Sequence, residues 1–127
     1  MFPQGWNIPL PDAVFEMPAP YDVPASGTID DQYIDVPTNF TEYKWVRMVE
    51  VRPGERGVVH HAVVVIKASG RGREEYLGGY APGMMAQIWK PGQARLVKAG
   101  SVLTFQMHYA TNGKAASDRT RIGLVIQ

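Results

Sequence analysis

Apolar and polar positions alternate along most of this chain with a period near two, and no window keeps a 3.6-residue period for three turns. Alternation over short runs marks half-buried strands. The runs fall at residues 14–17, 28–36, 43–51, 58–67, 75–80, 94–98, 101–109 and 120–126. The run at 58–67 is almost continuously apolar, as in a strand covered on both faces. In 101–109, Leu103, Phe105 and Met107 take one face, while Thr104, Gln106 and His108 take the other. Turn residues punctuate the runs at Pro53-Gly54, Ser69-Gly70-Arg71-Gly72, Pro82-Gly83, Pro91-Gly92, Ala99-Gly100 and Asn112-Gly113. Short strands so spaced predict an all-β sandwich or barrel of about eight strands, with Greek-key or jelly-roll connectivity both open.

The first third departs from this pattern. Pro3, Pro9, Pro11, Pro18, Pro20, Pro24 and Pro37 preclude long helices and central strands there. Residues 1–12 are expected to form a Pro-rich arm or linker, with Trp6, Ile8 and Leu10 alternating so that one side can pack. Residues 13–127 are expected to form a single domain, since 127 residues leave no room for a second core.

Composition narrows the chemistry. The absence of cysteine excludes disulfides, thiolate metal sites and thiol nucleophiles. The net charge is +1 and the basic residues are scattered, so no nucleic-acid partner is expected. The longest apolar stretch, residues 62–66, is too short to span a bilayer. The start Met1-Phe2-Pro3-Gln4-Gly5-Trp6 lacks the basic and apolar regions of a secretory signal. That leaves a cytoplasmic protein or a domain of a longer exported chain.

The three histidines all fall on expected strands: His60 and His61 are adjacent, and His108 lies in a later run. Neutral imidazole is a favoured ligand for copper and zinc. Three imidazoles leave a position open for water, substrate or an electron donor. Strand geometry opposes such a site, because adjacent side chains point to opposite faces. On a flat strand one of the pair faces with Val58, Ala62 and Val64, and the other with Val59, Val63 and Val65. Shared coordination therefore requires a local twist, a β-bulge with Gly57 as the candidate position, or rings that bend round the strand edge.

The segments Val59-His60-His61-Ala62-Val63 and Phe105-Gln106-Met107-His108-Tyr109 resemble the N-terminal copper domain of the copper type II, ascorbate-dependent monooxygenases. That family includes peptidylglycine α-hydroxylating monooxygenase and dopamine β-monooxygenase. The stretch Gly79-Tyr80-Ala81-Pro82-Gly83 with Pro91-Gly92 is similar as well, so the likeness covers about residues 28–127. Trp6-Asn7-Ile8 and Phe40-Thr41-Glu42-Tyr43-Lys44-Trp45-Val46 look closest to bacterial multidomain members. The resemblance implies an antiparallel jelly-roll and one copper ion on His60, His61 and His108. It further implies an ascorbate-like electron donor, a partner domain carrying the second copper, and a periplasmic or extracellular parent protein. The family's second domain, with its His-X-His pair and methionine ligand, has no counterpart in these residues. The domain alone is therefore expected to be the electron-transfer half and not an active monooxygenase.

Other residues near the motifs are candidates for supporting roles. Gln106 shares the face of His108, and Tyr80 and Tyr109 lie close to the motifs in sequence. Met84 and Met85 could offer a thioether to Cu(I), or could be flexible core fillers. Asp30-Asp31 and Glu74-Glu75 read as solvated charges. Two other functions fit the same residues. One is a zinc hydrolase or hydratase using the three histidines. The other is a non-enzymatic β-sandwich that binds a protein or sugar through Trp6, Trp45 or Trp89.

Overall fold

The computed structural model describes residues 5–67, 74–84, 86–89 and 93–127. The expected turn at 69–72, the Pro91-Gly92 pair and Met85 lie outside these residues. The chain is an antiparallel β-sandwich whose strands are β1 (Ala13–Glu16), β2 (Tyr21–Val23), β3 (Gln32–Pro37), β4 (Lys44–Arg52), β5 (Val59–Lys67), β6 (Glu74–Tyr80), β7 (Gln87–Ile88), β8 (Arg95–Val97), β9 (Val102–Tyr109), β10 (Ala116–Asp118) and β11 (Arg121–Ile126). All eight runs of alternating residues become strands. The additional ones, β2, β7 and β10, have only two or three residues, too few for alternation to register.

One sheet has the order β3-β9-β5-β6. The other has the order β1-β11-β4-β7, with β8 also paired to β4, and a short β10-β2 ribbon lies beside them. Neither large sheet closes into a barrel. The chain crosses between them at β3–β4, β4–β5, β6–β7 and β8–β9.

The core lies between the sheets. Val46, Val49, Ile122 and Leu124 from one meet Val64, Leu77, Leu103, Phe105 and Met107 from the other, all fully buried. Burying each such side chain stabilises the fold by about 1.5–3 kcal/mol. The approach is tightest at Gly78, where a Cβ would lie 2.7 Å from Val49 Cγ2. The N-terminal arm packs as well. Trp6 and Ile8 are buried in a second cluster with Val125, while Leu10 is exposed. Asn7 donates its backbone N–H and its side-chain amide to the Glu50 carboxylate at 2.6 and 2.8 Å. Gly123 lacks the Cβ that would meet the Trp6 ring at 2.8 Å.

A buried carboxylate organises the end of the sandwich where β9 finishes. Asp118, wholly buried, accepts hydrogen bonds from Tyr109 Oη at 2.6 Å, Thr120 Oγ1 at 2.8 Å, and the backbone N–H groups of Gly54 and Glu55 at 2.9 Å each. The ring of Tyr109 stacks on Tyr21, with centroids 4.8 Å apart. Burial, followed by the hydrogen bond to Asp118 and its charge, pushes the Tyr109 hydroxyl well above the usual phenol range, so it remains a donor. Residue 109 is thereby locked, and with it the residue before it on the strand, His108.

Removing the acceptor leaves buried donors unsatisfied, at about 1–3 kcal/mol each. Asp118→Ala is expected to lower unfolding free energy by at least about 3 kcal/mol, measured as a fall in the denaturant midpoint with little change in slope.

Candidate metal centre

The metal candidates are assembled by an irregularity in β5. Along the β5–β9 ladder Val59 pairs with Tyr109 and His61 with His108, so His60 has no partner of its own. Two residues of β5 oppose one step of β9, which is a β-bulge. The burial pattern shows the reason. Val59, Ala62, Val64 and Ile66 are all buried, but residue 59 is out of phase with 62, 64 and 66 for a period of two. Strict alternation would push an imidazole into the core or expose an apolar residue, and an unpaired buried imidazole is costly. The extra residue resets the phase, leaving His60 exposed and His61 half-buried on the same outer face. The bulge falls at His60 itself and not at Gly57.

Across this face the three rings converge. His60 Nδ1 and His61 Nδ1 lie 3.2 Å apart. The His61 and His108 rings are stacked, with centroids 4.6 Å apart and planes within 1°. The His60 and His108 centroids are 5.1 Å apart. One ligand nitrogen from each residue falls in a set spanning no more than 4.8 Å. Metal–imidazole bonds of about 2.0–2.1 Å require ligand nitrogens within about 4 Å of one another. The first pair satisfies that directly, and a nitrogen of the third ring lies within the same 4.8 Å set. The cluster can hold a metal ion.

Electrostatics agree with that role. Burial first, then the proximity of His108 and His60, lower the His61 pKa below its ordinary value of 6.5, with Asp31 opposing. His61 is thus kept neutral, the form that binds metal. Asp31 is exposed, as the reading of Asp30-Asp31 as solvated charges has it, and it also has a partner that the sequence does not signal. Its Oδ1 lies 2.8 Å from His108 Nδ1. Gln32 pairs with Met107 at the start of β3, which brings Asp31 level with His108 on the adjacent rung. A row therefore runs from Asp31, just before β3, to His108 on β9 and His61 on β5. Two side chains separated by 77 positions in sequence give no local signal of this pairing.

The supporting candidates separate by face. Gln106, half-buried, lies on the outer face of β9, between Tyr33 and Val63 in register. Tyr109 is on the core side, its hydroxyl given to Asp118. Tyr80 belongs to the core cluster, with the Arg56 guanidinium 5.5 Å above its ring. Met84 is exposed and lines a cavity of about 230 Å³ with Asn7, Glu50, Arg56 and Tyr80. Of these, the one that shares the outer face of the histidines is Gln106. Trp6 is buried, whereas Trp45 is exposed beside Tyr43 and Leu96.

No protein-family model, curated protein or solved structure matches the chain. The architecture and the site therefore rest on the chain's own residues.

A histidine held below its unfolded pKa contributes stability above the unfolded value, and that stability is lost as pH falls through the folded value. Metal-free protein is expected to lose thermal stability as pH drops below 6.5. His61→Asn is expected to flatten that dependence, as read from melting midpoints across a pH series. An unchanged slope would show that His61 is not the group responsible.

Proposed function

We propose that this domain binds one copper ion through His60, His61 and His108 and serves as the electron-transfer half of a copper-dependent, monooxygenase-like protein. The observation that carries the reading is the bulge at His60, which turns an adjacent His-His pair to the face of His108. Without it the sequence motif would have no common site. The likeness of the two histidine segments to the ascorbate-dependent copper monooxygenases supplies the chemistry. Copper bound by imidazoles exchanges a single electron between Cu(II) and Cu(I), and imidazole sites favour Cu(II) over Zn(II) in affinity. All three histidines of the sequence are used in this one site. A second imidazole-bound copper, where oxygen chemistry would occur, has to be supplied by another domain. The donor in this reading is an ascorbate-like reductant, and the setting an exported parent protein.

One observation favours a second reading. A carboxylate on the free nitrogen of a ligand histidine is a recurring feature of zinc sites, and Asp31 makes that contact with His108. Three histidines with an open position are also the ligand set of catalytic zinc. In that case the domain would be a hydrolase or hydratase, working without a reductant.

Titration of metal-stripped protein with Cu(II) is expected to show one equivalent bound, with a tetragonal nitrogen-ligated EPR signal that ascorbate abolishes. His108→Ala is expected to remove stoichiometric uptake. Unchanged stoichiometry in that variant would sink the assignment. Retained zinc with ester or CO₂ turnover in the absence of reductant would favour the second reading.

A further inference from the structure

We infer that Asp31 is a positioning residue that commits His108 to bind the metal through Nε2, against Nδ1 for His60 and His61. The inference deepens the metal-site reading above and rests on it.

The argument begins with proton placement. A carboxylate only accepts hydrogen bonds, so the 2.8 Å approach of Asp31 Oδ1 to His108 Nδ1 places the ring proton on Nδ1. The lone pair of a neutral ring is then on Nε2. His60 and His61 are arranged differently, with their Nδ1 atoms turned toward each other at 3.2 Å. The ligand set is therefore unsymmetrical, and a single imidazole carries a carboxylate behind it. That contact raises the basicity of the ring as a ligand and fixes its orientation.

Folding does not account for the pair. The side chains of Asp31 and His108 are 47% and 40% exposed, and exposed ion pairs contribute about 0–1 kcal/mol to stability. What holds Asp31 in place is strand register, with Gln32 beside it donating its side-chain amide to the Asp30 carbonyl at 2.9 Å. The carboxylate also places a negative charge next to one ligand, which favours the more highly charged ion. Asp31 is thus expected to hold the Cu(II)/Cu(I) potential lower than three imidazoles alone would.

Three variants of the full chain test this. In metal-free wild-type protein, nitrogen-15 NMR is expected to show His108 as the Nδ1–H tautomer, and in Asp31→Ala to show the Nε2–H form appearing. Asp31→Ala is expected to bind one equivalent of copper about 10- to 100-fold more weakly, with an unchanged melting temperature. Asp31→Asn keeps an acceptor but drops the charge, so it is expected to retain the tautomer and move the potential to more positive values. Asp31→Glu is expected to restore affinity in part. Wild-type tautomer and affinity persisting in Asp31→Ala would overturn the inference while leaving the metal site intact. No stoichiometric metal uptake by the wild type would overturn the metal reading, and the inference with it.

Discussion

The site depends on one extra residue in one strand. Alternation dictates that neighbours on a strand face opposite ways, and β5 obeys it on either side of His60. The core requires Val59 at one end and Ala62, Val64 and Ile66 along the rest, which no unbroken period of two can supply. The bulge resolves the conflict at the cost of one unpaired ladder position. It also creates what a regular strand cannot, two adjacent side chains on a common face. The same hydrophobic pattern that folds the sandwich thus produces the histidine cluster.

The two faces of β9 divide the work. Behind His108, Met107 is fully buried, and Tyr109 is held by Asp118 and stacked on Tyr21. In front, His108 meets His61 on one side and Asp31 on the other. The core side fixes the backbone from which His108 projects, and the outer side fixes only its ring. Changes at the ligands are therefore cheap for the fold, and changes at Asp118 are costly for both. Precision in an exposed cluster comes here from the buried network one residue away.

Much of the fold was legible because alternation is strong in long strands. Each of the eight runs became a strand, and Leu103, Phe105 and Met107 proved buried as the pattern of 101–109 required. The short strands β2, β7 and β10 were not legible, since two or three residues carry no period. The three histidines could be named from the sequence, and the need for a bulge followed from their adjacency. Its position at His60 could have been read from the phase of Val59 against Ala62. Asp31 could not. Its role arises from the register of β3 on β9, which pairs residues far apart in sequence. Tyr109 lay next to a ligand in sequence yet faces away from it, because one step along a strand reverses direction.

How the histidines sit bears on what they can do. A hydrolytic zinc site works best inside a pocket that surrounds substrate and excludes water. His60, His61 and His108 lie instead on the open outer face of the β3-β9-β5-β6 sheet, with His60 exposed. The cavities around Glu50 and Arg56, around Asp22 and Ser117, and around Tyr43 and Trp45 contain none of them. An open face suits a different task. A small reductant or another protein surface would meet an ion held on this face directly, and an electron needs no substrate cavity to leave. In the reading proposed above, the exposure of His60 is what gives such a donor access to the ion. His61, partly buried, has its pKa lowered by burial first. Partial burial and the proximity of the other two imidazoles, not enclosure, hold the His61 pKa down.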